Sequence, residues 1–177
     1  MVGEMRDTET AQIAIQSALT GHLVFSTVHT NSAPATITRL IDMGIEPFLV
    51  SSSIIGVLAQ RLVRRICPDC RKSYQPHPEQ LRELGIKEVS FRKLERRFFR
   101  GDGCDNCRQT GYRGRIGIHE LLVMSEGVKN TILESSDSDT IKKQGLKEKM
   151  ITLRRDGVNK ILHGLTTAEE ILSITSE

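Results

Sequence analysis

Between residues 8 and 20 apolar side chains return every three to four positions, with Ala11, Ala14, Ile15, Ala18 and Leu19 on one stripe. That period predicts an amphipathic helix, capped by Asp7 or Thr8 and stopped at Gly21. The pattern then changes. His22 to His29 is a short β-rich run that predicts a strand, and Pro34 in a first turn, Ile37, Leu40 and Ile41 on one stripe and Gly44 at the end predict a second helix at about 33–43. Alternation of strand and helix predicts an α/β fold with crossover connections.

Residues 47–66 fit two patterns. Ile55, Leu58, Ala59, Leu62, Val63 and Ile66 make a helical stripe, whereas the β-branched residues and Gly56 permit a bend into a strand, and periodicity alone does not choose. From Cys67 to about Gly114 the text turns to Pro, Gly, Cys and Arg, with one helix expected at Glu79–Leu84 after Pro78. RIGIHELLVM then predicts a strand, followed by helices at about 126–134, 138–149, 152–163 and 167–175. Thr167 with Glu170 forms the sequence of a capping box, and Gly164 is placed to close the helix before it. The expected division is therefore an α/β part at 1–66, an inserted module at 67–114, and a returning strand with a helical bundle at 115–177.

Composition narrows the class. No apolar run approaches the eighteen or so residues of a bilayer crossing, and no signal segment opens the chain, so a soluble, cytoplasmic protein is expected. The net charge of +3 hides an asymmetry: residues 54–115 hold fifteen Lys and Arg against seven Asp and Glu, and the rest of the chain is acidic. With two Tyr, five Phe and no Trp, that basic stretch offers few platforms for stacking unpaired bases. It reads better as docking ground for a membrane platform, a neighbouring subunit or anionic lipid, with Arg96, Arg97 and Arg100 in the docking face, than as a nucleic-acid surface.

Cys67-Pro-Asp-Cys70 and Cys104-Asp-Asn-Cys107 carry the most specific chemistry. Each pair has tight-turn spacing that lets two sulfurs face one ion, and together they complete a tetrahedral site of the structural zinc type. All four positions are then taken by protein, which leaves no place for an activated water. Free or disulfide-linked cysteines are the plainer alternative. His77 and His119 could also ligate a metal, but four sulfurs leave them unneeded. Glu4 stands at the tip of what reads as a buried strand and is followed by an acidic cap for the next helix; alone, such an acid is often only a cap. His22 and His29 bracket the run whose C-terminal end lies where open α/β sheets bind ligands; as ordinary core or surface histidines they would need no such role.

VGEMRDTETAQIAIQSALTGHLVFSTVHTN, RLIDMGIEPFLVSSSIIGVLAQRLVRRICPDC and GCDNCRQTGYRGRIGIHELL resemble the type II secretion ATPases, the general secretory pathway E proteins, and their type IV pilus assembly relatives. The likeness covers nearly all 177 residues. The resemblance implies a RecA-like core, with Glu4 as the acid at the end of the Walker B strand, acting on magnesium-bound or attacking water. His22 and His29 map to the family's histidine box, and Cys67, Cys70, Cys104 and Cys107 to its tetracysteine motif with structural Zn²⁺. It further implies ATP and Mg²⁺ as ligands of the full-length protein, a homo-hexameric ring, and a cytoplasmic position peripheral to the inner membrane on the secretion platform. It resolves 47–66 as well, since Gly56–Ile66 would be a strand paired with Ile116–Met124. Other readings are a pilus-assembly motor and a free-standing zinc-ribbon module for nucleic acid or lipid.

No GxxxxGKS/T occurs in these residues, so the backbone nest for phosphates and its lysine are missing from them. This chain in isolation is therefore expected neither to bind nor to hydrolyse ATP; magnesium-dependent phosphate release by the purified 177 residues would contradict that.

Overall fold

The computed structural model describes residues 1–93 and 97–175; Arg96 lies outside the described residues. Two compact units emerge, Met1–Ala59 with Glu120–Ile151, and Gln60–His119 with Thr152–Glu177. They are drawn by packing, not by the changes in text that set the expected division at 66 and 114.

In the first unit, α1 (Thr8–Leu19) starts where Asp7 accepts the Thr10 amide at 2.8 Å, so Asp7 rather than Thr8 is the cap. Thr8 instead donates its hydroxyl to the Met43 carbonyl at 2.6 Å. Helix α2 (Ala33–Asp42) begins at the Ser32 cap with Pro34 in its first turn, and Gly44 beyond it takes φ +91°, a conformation that favours glycine. The ambiguous stretch divides: α3 (Pro47–Ser53) is followed by strand β1 (Gly56–Ile66). Helices α6 (Glu126–Glu134) and α7 (Ser138–Lys147) complete the unit. Its core joins Ala11, Ile15, Ile37, Leu40 and Val50 to Leu122, Val128, Ile132 and Ile141.

The strand expected at His22–His29 is not formed as a regular ladder. Extended backbone is present, with Val2 donating to the Phe25 carbonyl and Met5 to that of Thr27, both at 2.9 Å. Three residues advance on one side while two advance on the other, so register slips at Gly3–Glu4 and no regular ladder propagates. Leu23 and Phe25 stay exposed.

In the second unit the module contains more than the single expected helix. Strand β2 (Arg71–Tyr74) pairs antiparallel with β3 (Phe98–Gly101), Tyr74 opposite Phe98, and α4 (Pro78–Glu83) and α5 (Glu88–Lys93) lie between them in sequence. Phe98 is fully buried and meets Phe91 and Tyr74 edge to face at centroid distances of 5.3 and 6.1 Å. The few aromatic residues of this stretch thus build its core. Helices α8 (Leu153–Leu162) and α9 (Ala168–Thr175) approach closely at Gly157, where any Cβ would come within 2.6 Å of Ile171.

Strand β4 (Tyr112–Val123) pairs with β1. The ladder is antiparallel, since Met124 donates to Ile55 at 3.2 Å and Cys67 to Gly111 at 2.9 Å. Pairing therefore starts earlier along the second strand than Ile116.

The Thr167–Glu170 capping box is only half made. Thr167 accepts the Glu170 amide at 3.4 Å, but the Glu170 carboxylate turns to Arg64, taking its backbone amide at 2.8 Å and its guanidinium at 2.6 and 2.9 Å. A guanidinium donating twice to one carboxylate oxygen outcompetes a neutral amide. Burial would raise the Glu170 pKa, yet the two Arg64 donors outweigh it and hold the carboxyl below its ordinary value. Glu170→Gln is expected to cost about 1–3 kcal/mol at neutral pH. Because the folded pKa is depressed, this stabilisation is complete above the unfolded value near 4.5 and is lost as pH falls through the folded one. Thermal melts of the two proteins should therefore differ most at neutral pH and draw together as the pH is lowered below 4.5.

Candidate functional site

Two tight turns carry the cysteines. Pro68–Cys70 and Asp105–Cys107 are single 3-10 turns, and the second is continued through left-handed Arg108 (φ 55°) and Gln109 (φ 62°), which returns the Gln109 amide to the Cys104 carbonyl at 2.9 Å. The turns approach because Gly101 and Gly111 lie back to back: a Cβ on Gly101 would stand 2.1 Å from the Gly111 carbonyl oxygen. No side chain fits there.

All four Sγ atoms lie within 4.8 Å of one another, with 3.9 Å between Cys67 and Cys104, 3.9 Å between Cys70 and Cys107, and 3.7 Å between Cys104 and Cys107. A tetrahedron with metal–sulfur bonds of about 2.3 Å has edges of about 3.8 Å, so the donor set fits one tetrahedral ion. The cysteines are free thiols, not disulfides. Burial pushes Cys70 up to about 12 and raises Cys104. Burial acts the same way on Cys107, but the amides of Cys104 and Gly111, at 3.2 and 3.3 Å from its sulfur, and the neighbouring thiols bring it down to about 6. A divalent ion would supply the charge that keeps all four as thiolates. Asp69 braces the turns from outside, accepting from Asn106 at 3.0 Å and lying 3.4 Å from Arg113.

Neither candidate histidine ligand is in this cluster. His77 precedes α4, its amide bonded to Gln80 at 3.2 Å, and the His119 amide donates to Asp156 at 2.8 Å. Arg100 is exposed, 3.4 Å from Asp102 and over the Tyr74 ring at 5.8 Å; Arg97 is exposed as well.

In the first unit the structure brings Glu4 and His29 together. His29 Nε2 stands 3.0 Å from one Glu4 carboxylate oxygen and the Arg6 guanidinium 2.6 Å from the other. The Arg6 hydrogen bond lowers the Glu4 pKa against the raising effect of partial burial, and the charges of Arg6 and His29 add to it. Glu4 is thus held as a carboxylate, able to accept a proton or a cation contact. His22 does not join this pair among the described residues: its Nδ1 lies 3.2 Å from Thr20 Oγ1 and from the Ser17 carbonyl, at the end of α1. Asp7 works as the α1 cap and has its pKa lowered mainly by the Thr10 amide.

Sequence reasoning missed two residues here. Arg6 had a signal in its position two residues beyond Glu4, on the same side of an extended chain. Glu120 had a stronger one, an acid at an inward position of β4 between Ile118 and Leu122; it is 3 % exposed.

A family model described as type II/IV secretion system protein matches residues 1–173. This chain belongs to that family. Over all 177 residues, the chain is 50% identical to the type IV pilus assembly ATPase PilB of Thermus thermophilus and 49% identical to the type II secretion system protein E of Dickeya dadantii. It spans only 20% and 34% of their lengths. Among solved structures, the pilus retraction motor PilT with bound ADP superposes with TM-score 0.64 at 24% identity, covering 99% of this chain and 40% of that one. The Legionella pneumophila ATPase DotB gives 0.62 at 22%, covering 98% and 37%. These two likenesses establish the α/β fold. No helix among the described residues is long and apolar enough to cross a membrane.

Cys104→Ser should remove one corner of the cluster and lower the metal content of the purified protein from one divalent ion per chain toward none. The second unit should then melt at lower temperature, because binding free energy at such a site is folding free energy; an unchanged melt and metal content would refute the metal assignment.

Proposed function

We propose that this chain is the part of a type II secretion ATPase that lies downstream of the phosphate-binding loop, within a protein that converts ATP hydrolysis into the motion driving secretion. The observation that carries the reading is the family match over residues 1–173 together with near-50% identity, along the whole chain, to type II secretion E proteins. In this reading Glu4 is the catalytic carboxylate. Its lowered pKa keeps it ionised at neutral pH, so it can take the proton of an attacking water or contact the Mg²⁺ of the nucleotide. Magnesium, when bound, supplies positive charge at the phosphates.

His29, already 3.0 Å from Glu4, orients that carboxylate and senses the terminal phosphate. His22, at the end of α1, acts as a sensor or bridges to a neighbouring subunit of a hexamer. Cys67, Cys70, Cys104 and Cys107 hold a structural Zn²⁺, the ion that suits a closed four-sulfur tetrahedron. The basic module surface, Arg97 and Arg100 included, docks on the inner-membrane platform, with the assembly cytoplasmic and peripheral to that membrane. A second reading, a type IV pilus assembly ATPase, is favoured by the 50% identity to PilB.

Glu4→Gln in the complete protein is expected to abolish turnover in a phosphate-release assay while ATP still binds. Turnover at the wild-type rate would remove Glu4 from this role. Zinc analysis expects one equivalent per chain.

A further inference from the structure

Glu120 is a buried acid that the reading above leaves without a task. It projects from β4 at an inward position and is 3 % exposed, among apolar neighbours on its strand. Its Oε1 accepts the Ala33 amide at 2.8 Å, across 87 residues of chain. Ala33 is the first residue of α2 and is wholly buried. Amides in a first helical turn have no partner within the helix, and a buried one left unpaired is costly. A carboxylate is the acceptor best matched to the positive end of the helix.

What precedes Ala33 gives this contact its meaning. His29 lies three residues before the Ser32 cap, and the segment between is tied on both sides. Upstream, Thr27 accepts the Met5 amide at 2.9 Å and donates its hydroxyl to the Gly3 carbonyl at 2.7 Å, flanking Glu4. Downstream, the Thr30 hydroxyl lies 2.7 Å from that of Thr36, Thr36 donates to the Ser32 carbonyl at 3.3 Å, and Ser32 accepts the Ala35 amide at 3.3 Å. The downstream contacts tie the loop to its own helix. From a distant part of the chain, the Glu120 carboxylate ties down that helix start.

We propose that Glu120 is a positioning residue: by anchoring the Ala33 amide it fixes the start of α2, and with it the Thr30–Ser32 loop that presents His29 to Glu4. Glu120 touches no reacting atom and acts through His29. The proposal rests on the ATPase reading of Glu4 and His29, and it adds a residue from a different strand, far along the chain, to that site.

The test compares Glu120→Ala, Glu120→Asp and Glu120→Gln in the complete protein. Alanine removes the acceptor, aspartate keeps the charge but falls one methylene short, and glutamine keeps length and an accepting oxygen without the charge. Hydrogen–deuterium exchange of the peptide covering residues 28–36 should accelerate in the Ala and Asp variants and stay near wild type in the Gln variant. For misplacement of a catalytic partner by about 1 Å, kcat should fall about 10- to 100-fold in the Ala and Asp variants with KM for ATP little changed, and Gln should recover most of it. Metal content should be unaltered throughout.

If Glu120→Ala does not fold, the Asp and Gln pair carries the same contrast. Wild-type exchange in the Asp variant, or accelerated exchange without loss of kcat, would overturn the proposal, as would a Gln variant as impaired as Asp. Exchange reads the anchor independently of turnover, so a Glu4→Gln protein that still hydrolyses ATP would count against the ATPase reading while the exchange data still judge whether Glu120 holds the loop.

Discussion

The antiparallel pairing of Gly56–Ile66 with Tyr112–Val123 places both the cysteine turns and Glu120. At one end the ladder closes with Cys67 on Gly111, which joins the end of β1 to the start of β4, each adjoining a cysteine turn. At the other end it runs to Met124 on Ile55 and returns Glu120 beneath the start of α2. Strand pairing of this kind couples residues some forty-five to seventy positions apart, and a slip of one residue would turn an inward side chain such as Glu120 out of its core.

Within the module, close backbone approach substitutes for a large core. Gly101 against Gly111 lets the cysteine turns meet, and Tyr74 and Phe91 pack edge to face on the buried Phe98. An ion held by four sulfurs at tetrahedral separations would add its binding free energy to the folding of this segment. Glu170, reaching from α9 to Arg64 on β1, fastens the last helix to the same unit with a charged fork instead of completing its own cap.

The Glu4 site is built differently, from exposed and half-exposed charges held by a buried frame. Arg6 and His29 set the state of the carboxylate, but neither is fixed by burial of its own. The segment between His29 and α2 is held by threonine and serine hydroxyls, and the Ala33 amide by the Glu120 carboxylate.

The residues alone specified the helices wherever a 3.6-residue stripe met a cap: α1 after Asp7, α2 with Pro34 and Gly44, and the closing helices from Glu126 onward follow the text closely. They also specified the four sulfurs, because CxxC spacing encodes the local turn that a ligand pair needs. The irregular pairing of His22–His29 was not legible, since β-rich composition says nothing of the register slip at Gly3–Glu4. That Gly56–Ile66 is a strand came into view only through likeness to known sequences, because the same apolar residues serve both periods, and the helix at Pro47–Ser53 only through the structure. Tertiary structure alone decided that Glu170 leaves its cap for Arg64, that Glu4 meets His29 while His22 stays at the end of α1, and that Glu120 supports Ala33. Periodicity and spacing act over a few residues, whereas a charged side chain chooses its partner from whatever the folded chain brings within 3 Å, and that choice is not written in any local pattern.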